Sequence, residues 1–221
     1  MFIGTHLNAS EDAIEFGDYS DRWINTHRAY GRSWRLSTTR TEMLRDLKGI
    51  LERHCAPLSE GIRPWGWKEP RSIYLLPFFH SKFPRLKFLH VVRDGRDMAY
   101  SANQNQLHKH GRALLGWRDR RRGPPLQSIA LWSRINLMAA DYGQKHLGGQ
   151  YLRVRFEDLC ADPAPTILRV FEFFGLQGDA QKIAELELSP LATLGRWRRE
   201  PSFAEVSKIG RKALRKFGYI G

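Results

Sequence analysis

A group of charged and hydroxyl-bearing residues follows an apolar run near the middle of the chain. The run Phe88-Leu89-His90-Val91-Val92 ends at Arg93-Asp94-Gly95-Arg96-Asp97, and Ser101 comes four residues later. Short apolar runs rich in β-branched residues are typical of strands buried in a parallel sheet, so residues 86–92 are predicted to form a central strand. Open α/β sheets bind ligands at the carboxyl ends of their strands. We call residues 93–97 the elbow.

The chemistry that these residues favour is the binding of an anion. Asp97 is predicted to cap the following helix, whose first-turn amides and dipole attract negative charge. Arg93 offers a bidentate guanidinium group at the end of the strand, and Ser101 offers a hydroxyl in the first turns of the helix. From these residues alone, a phosphate site and a solvated turn between strand and helix stay open as alternatives.

The segment RDGRDMAYS after FLHVV resembles the 3′-phosphate-binding segment of a known family. That family is the sulfotransferases that use 3′-phosphoadenosine 5′-phosphosulfate (PAPS) as the sulfuryl donor. The resemblance implies that Arg93 and Ser101 hold the 3′-phosphate of the donor. It also implies an enzyme that transfers a sulfuryl group to a hydroxyl or an amine, with a glycan or another anionic or small molecule as the acceptor.

Three further segments resemble the same family, in the same order along the chain. Trp67-Lys68-Glu69-Pro70-Arg71 is similar to the segment with a sulfate-side Lys, which implies a catalytic role for Lys68. Phe156-Glu157-Asp158-Leu159 is similar to an aromatic-Glu-Asp-Leu motif, and Phe156 is either part of the sheet core or a flat face under adenine. Gly195-Arg196-Trp197 is similar to a loop that closes over the nucleotide, which implies donor binding by all three residues.

The family's loop for the 5′-phosphosulfate, between its first strand and first helix, has no counterpart in the sequence. The opening residues 1–8 resemble what normally follows that helix, and no Gly-x-x-x-x-Gly-Lys-[Ser/Thr] pattern occurs. We therefore expect an α/β fold, a mostly parallel central sheet flanked by helices. It would be a P-loop-NTPase-like sulfotransferase fold with its first βα unit missing, in a single domain over residues 1–221. A chain truncated in this way is expected to bind the donor but to be inactive alone.

The charge of the chain indicates anionic partners. Lys and Arg number 36 against 23 Asp and Glu, which gives a formal net charge of +13. A basic nucleic-acid-binding or nucleotide-binding protein without catalysis is the alternative, but recognition-helix, zinc-finger and RNP signatures are lacking. We therefore expect no nucleic-acid partner. A P-loop phosphotransferase is disfavoured because no Walker lysine motif is present.

The two cysteines, Cys55 and Cys160, have no partners at the spacing of metal ligands, so no metal is expected. They fit a reducing compartment. The sequence has no apolar run long enough to span a membrane and no signal peptide, and we expect a cytoplasmic location. The oligomeric state and the general base are not indicated by any pattern.

Periodicity and capping patterns predict the remaining elements. Strands are predicted at 66–68 and 151–156, in addition to 86–92. Helices are predicted over 40–54 with a capping box from Thr39, from Pro70 with an early end at Pro77, over 97–110, from Ser128, from Pro163 to Gly175, and after Ser202. The basic segment 117–122 is either a contact for an anionic acceptor or a solvated loop.

Overall fold

The computed structural model describes residues 11–27, 30–31, 33–56, 66–187 and 193–220. The chain divides into two compact units, residues 1–84 and residues 85–221. Among the described residues, no helix is long and apolar enough to cross a membrane. Nor does this part of the chain bring together a group of three or more His, Cys, Asp or Glu side chains that could hold a metal ion. The prediction of a single domain stays a prediction.

The first unit is helical. It consists of α1 (Glu11–His27), α2 (Ser37–Cys55), a 3₁₀ helix (Pro70–Tyr74) and α3 (Leu76–Lys82), with a short 3₁₀ turn at Ser33–Arg35. Its core is built from large side chains spaced for one face of each helix: Phe16, Trp23, Ile24, Met43, Leu47, Leu76, Phe78 and Phe79.

Three predictions for this unit need correction. The helix predicted from residue 40 begins at Ser37 after Leu36, which makes no side-chain cap bond, so Thr39 and Glu42 lie inside the helix and form no capping box. The strand predicted at 66–68 is not found, because residues 66–69 have no regular structure. Pro70 opens a 3₁₀ helix rather than an α-helix, and Pro77 lies in the first turn of α3.

The second unit contains a parallel sheet of two strands, β1 (Phe88–Val92) and β2 (Tyr151–Arg155), with Phe88 opposite Tyr151 and Val92 opposite Arg155. This mostly helical α/β arrangement confirms the predicted fold class, although the sheet that the structure describes is small. The helices of this unit are α4 (Gly95–Ala99), α5 (Asn105–Leu114), α6 (Pro124–Tyr142), α7 (Phe156–Ala161), α8 (Pro163–Phe174), α9 (Ala180–Glu187) and α10 (Phe203–Lys216).

The core of the second unit lies where α6 and α10 pack together beside β1. Val92, Ala140, Ala213 and Phe217 form one buried cluster, and Trp132 packs against it. A second cluster joins Ala99 of α4 to Ile129 and Val206. These contacts fix the end of β1, and with it the elbow, on a rigid base.

The helix predicted over residues 97–110 is broken into α4 and α5. The side-chain amide of Gln104 donates to the carbonyl oxygens of Met98 (3.0 Å) and Ser101 (2.7 Å). It thereby satisfies carbonyl groups at the end of α4 that a continuous helix would have used internally. Asp94, and not Asp97, is the N-cap of α4: its side chain accepts the backbone N–H of Arg96.

Candidate functional site

Asp94 and Arg96 neutralise each other within the elbow. Both are buried, and Arg96 donates to the Asp94 carboxylate through its backbone N–H (2.9 Å) and its guanidinium group (2.7 Å). The backbone N–H of Asp94 donates to Glu157 Oε1 at 2.8 Å, so Glu157 holds the backbone of the elbow in place. Two of the four charges of the elbow are thus used to hold its shape.

Asp97 joins the elbow to a turn about one hundred residues further along the chain. Its side chain is almost completely buried, and its oxygens accept the N–H groups of Gly195 (2.8 Å) and Trp197 (3.3 Å). Gly195 has a φ of 73°, the left-handed region that glycine adopts without strain. A carboxylate predicted to cap a helix therefore holds the segment that carries Arg196.

Arg93 and Arg196 meet at one carbonyl group. Arg93 Nη2 donates to Thr193 O (3.0 Å) and to Thr193 Oγ1 (2.9 Å), and Arg196 Nε donates to Thr193 O (3.3 Å). Arg93 Nη2 also lies 3.9 Å from Asp97 Oδ2. The structure thus brings together two of the predicted donor-binding residues, which are 103 positions apart in the sequence.

A buried donor of Arg93 has no partner among the residues that the structure describes. Its Nε atom is buried and makes no hydrogen bond to any residue that the structure describes. Leaving a charged donor without a partner costs more than a typical hydrogen bond gains. An anion beside this guanidinium group would remove that cost.

Phe156 and Trp197 place aromatic rings against arginines of the elbow. The guanidinium carbon of Arg93 lies 5.4 Å from the centre of the Phe156 ring, and that of Arg96 lies 3.7 Å from the centre of the Trp197 ring. Phe156 is the first residue of α7, not the last of β2, and it is half-buried. It therefore lies just beyond the strand, and its two predicted roles, in the sheet core or under adenine, both stay predictions.

Ser101 lies apart from these contacts. It is in the link between α4 and α5, where its Oγ accepts the backbone N–H of Asn103 at 3.3 Å. The prediction that placed it in the first turns of a helix is wrong because α4 ends at Ala99. The hydrogen bonds that join Arg93, Thr193 and Arg196 do not include its hydroxyl.

Lys68 belongs to the first unit, where it precedes the 3₁₀ helix at Pro70 and is exposed to solvent. Its neighbours are tightly held: Arg71 pairs with Glu69 (2.9 Å) and with Asp21 (3.0 Å), and Trp67 Nε1 donates to Ser72 Oγ. Within the described part of the chain, the Lys68 ammonium group has no ion pair.

Two residues that support the elbow were not found from the sequence. The Tyr219 hydroxyl lies 3.0 Å from Val92 O and 2.8 Å from Glu157 Oε2. Burial, together with the charge of Glu157, raises the pKa of Tyr219 well above its usual value. Trp132 Nε1 donates to Arg93 O at 3.1 Å. A tyrosine just after the final helix and a tryptophan on a core face carry no local signal of these roles.

Comparison with known proteins bears on the chain as a whole. A profile of the sulfotransferase family matches residues 8–180, which include Lys68, the elbow and Phe156 but not Gly195, Arg196 or Trp197. A search of curated proteins and a search of solved structures each returned no match. The matched range covers more than three quarters of the 221 residues. The chain therefore belongs to the sulfotransferase family.

Proposed function

We propose that the protein is a PAPS-dependent sulfotransferase, whose reaction transfers a sulfuryl group from PAPS to a hydroxyl or an amine and releases 3′,5′-adenosine diphosphate. Transfer by this chain alone, which the sequence does not lead us to expect, is a separate step of the test below. Membership of the sulfotransferase family supports the transfer of a sulfuryl group. The observation that carries the choice of donor is the pair of guanidinium groups at Thr193, one of which has a buried Nε without a partner among the described residues. Two arginines side by side match the charge and the geometry of a phosphate monoester.

In this proposal Arg93 and Arg196 bind the 3′-phosphate, and Asp97 keeps them in place without touching it. The Phe156 ring lies against Arg93 and the Trp197 ring lies against Arg96, and both rings would flank the nucleotide. Gly195 lets the backbone turn so that its N–H and that of Trp197 both reach Asp97. Ser101 would contribute its hydroxyl only after giving up its bond to Asn103.

The reaction itself is an in-line displacement at sulfur. The bond from sulfur to the bridging oxygen of the 5′-phosphate breaks, a bond from sulfur to the acceptor oxygen or nitrogen forms, and the acceptor loses a proton. Negative charge grows on the bridging oxygen, so a cation there lowers the barrier. We assign that role to Lys68, whose exposed ammonium group is not engaged by a carboxylate of the described residues. The assignment predicts that Lys68→Ala reduces kcat by a factor of about ten or more and leaves the affinity for 3′,5′-adenosine diphosphate unchanged.

An anionic acceptor is supported by the basic segment between α5 and α6. Trp117 is exposed, and the guanidinium carbons of Arg118 and Arg121 lie 5.4 and 5.1 Å from its ring centre. Arg122 is paired with Asp119, whereas Arg118 and Arg121 have no ion pair with any described residue. Replacing Arg120, Arg121 and Arg122 by Glu should raise the KM for an anionic acceptor, and unchanged kinetics would contradict this role.

Thermal-shift titration tests the choice of donor. A ligand that binds only the folded protein raises its midpoint of unfolding as its concentration passes the Kd. We expect 3′,5′-adenosine diphosphate to raise the midpoint and ATP not to do so. Stabilisation by ATP alone would replace the proposal with a phosphotransferase or a general nucleotide-binding protein. Transfer from labelled PAPS is then measured separately, because Arg93 and Arg196 would bind only the 3′-phosphate end of the donor. Robust transfer by the unaltered chain would refute the expectation that it is inactive alone.

A further inference from the structure

The positive charge of the chain is concentrated in the second unit. Residues 85–221 contain 24 Lys and Arg against 13 Asp and Glu, whereas residues 1–84 contain 12 against 10. Eleven of the 13 net charges therefore belong to the unit that carries the elbow. Such a local surplus of positive charge attracts anions at long range. The positions of the exposed Lys and Arg side chains therefore indicate where an anion would bind.

Helix α10 carries four of these cations on one exposed face. Lys208, Arg211, Lys212 and Arg215 follow one another at i, i+3, i+4 and i+7, and all four are exposed. The opposite face is in the core, with Val206, Gly210, Ala213 and Leu214 buried. We call the four cations the basic stripe. At a rise of about 1.5 Å per residue, it is about 10 Å long.

Helix stability does not explain this arrangement. Like charges three or four positions apart on a helix cost a few tenths of a kcal/mol per pair. The helix dipole favours cations in the last turn, which accounts for Arg215 but not for Lys208. Lys208, Arg211 and Lys212 have no ion pair with any described residue, whereas their neighbour Lys216 pairs with Asp141. The acidic residue of α10, Glu205, lies in its first turn.

We propose that the basic stripe binds a linear polyanion, namely a sulfated or carboxylated polysaccharide. A row of cations along a helix matches a row of anionic groups along an extended chain. A bilayer is a poorer match because the apolar residues Val206, Ile209 and Leu214 pack inward and offer it nothing beside the stripe. Sequence-specific binding of nucleic acid is also a poorer match, since the stripe has no amide or aromatic side chain to read or stack on bases.

The stripe leads away from the candidate donor site. Helix α10 begins four residues after the 3₁₀ turn Arg196–Arg199, and Ser202 at its start is bonded to Tyr100 next to α4 (2.8 Å). A polysaccharide bound to the stripe would therefore lie along α10, the helix that begins beside the turn with the proposed donor-binding residue Arg196. The choice of a polysaccharide rests on the proposed sulfuryl transfer, for which such a chain is a hydroxyl-bearing acceptor.

The test compares two variants of the whole chain that lose the same charge. Lys208, Arg211 and Lys212 are replaced by Gln in the first, and the exposed residues Arg134, Lys145 and Arg169 are replaced by Gln in the control. The affinity for heparin is measured between 50 and 300 mM salt, and each ionic contact contributes about one to the slope of log K against log salt. We expect the magnitude of this slope to be smaller by about two to three in the stripe variant than in the unaltered chain. In the control variant the slope should stay the same.

Three results would overturn the inference: equal losses in both variants, no binding of heparin by the unaltered chain, or tighter stripe-dependent binding of duplex DNA or of phosphatidylserine vesicles. The thermal shift produced by 3′,5′-adenosine diphosphate is recorded on the same three proteins. If the stripe variant keeps this thermal shift and binds heparin as well as the control does, the polysaccharide proposal is refuted and the proposed donor is not. Absence of the shift from the unaltered chain refutes the proposed donor.

Discussion

The carboxylates around the elbow bind backbone groups rather than leaving their oxygens free for a ligand. Asp94 accepts the N–H of Arg96, Glu157 accepts that of Asp94, and Asp97 accepts those of Gly195 and Trp197. Each of these bonds is charge-assisted, and those of Asp97 are made by a side chain that water scarcely reaches. The position of Arg196 relative to Arg93 therefore depends on Asp97.

Asp97→Asn is predicted to weaken binding of 3′,5′-adenosine diphosphate. The amide keeps the size of the carboxylate, but its NH₂ group would face a backbone N–H, so one of the two bonds to residues 195–197 is lost. We expect Kd to rise about tenfold, the equivalent of about 1.4 kcal/mol. The backbone N–H hydrogens of Gly195 and Trp197 should also exchange faster with solvent.

The control for this prediction is Asp158→Asn, which alters an exposed carboxylate 3.7 Å from Arg155. It should leave Kd unchanged. Because Asp97 is assigned to act through the turn that carries Arg196, its substitution should cost little further affinity in an Arg196→Ala background. Full additivity of the two losses would show that Asp97 acts in some other way.

At this scale the sequence predicts the residue types of the site but not their bonds. Asp94 and Asp97 are both acceptable caps for a helix after β1, and the local pattern favoured the wrong one. The choice is made by Gly195 and Trp197, whose distance of about one hundred residues along the chain hides them from any local pattern.

At the scale of elements, the elbow depends on how closely α4 approaches α6. A Cβ atom on Gly95 would overlap the Trp132 ring and lie 2.7 Å from Ile129 Cδ1. The same tryptophan donates to Arg93 O. The packing of Gly95 on Trp132 therefore fixes the position of the elbow relative to α6. Only glycine allows this approach without displacing the ring.

Gly95→Ala is predicted to destabilise the second unit by about 1–3 kcal/mol, the usual cost of overpacking a well-packed core. The measurement is the free energy of unfolding from urea titration. Gly116→Ala is the matched control, since a Cβ there meets nothing within 4 Å. Equal unfolding midpoints for the two variants would contradict the close packing of α4 on α6.

Helices with a strong apolar periodicity could be predicted from the sequence. The positions at which a helix is interrupted could not. Pro163 and Ser202 mark the starts of helices that the structure contains, although neither Asp162 nor Ser202 makes a side-chain cap bond there. The break between α4 and α5 depends on Gln104, a side chain with no special preference for ending a helix. The strand predicted at 66–68 needed a neighbouring strand, and apolar residues in sequence do not reveal whether a neighbour exists.

At the scale of the whole molecule, the buried His90 couples stability to pH. It lies between Tyr151, whose hydroxyl is 2.8 Å from Nδ1, and Asn136, whose Oδ1 is 2.8 Å from Nε2. A neutral ring satisfies both, with Nε2–H donating to Asn136 and the Tyr151 O–H donating to Nδ1. Burial, reinforced by the charge of Arg153 and partly offset by the Asn136 bond, lowers the pKa of His90 to about 4.

Stability should therefore fall as the pH drops from about 6.5 to about 4. In this window the unfolded chain binds a proton that the folded His90 does not, so the free energy of unfolding decreases with falling pH, by up to about 1.4 kcal/mol per unit. The measurement is urea unfolding at several pH values. His90→Gln should lose this contribution, and the exposed His108→Gln should keep it. An NMR titration of the His90 ring with its midpoint near 6.5 would contradict the assignment.

The most direct test of the central claim compares two nucleotides that differ only in the 3′-phosphate. Calorimetric titration of the unaltered chain should show tighter binding of 3′,5′-adenosine diphosphate than of 5′-AMP. In Arg93→Gln this preference should disappear, whereas Arg134→Gln should retain it. A chain that binds both nucleotides equally, or an Arg93→Gln variant that keeps the preference, would contradict the assignment of Arg93 and Arg196 to the 3′-phosphate.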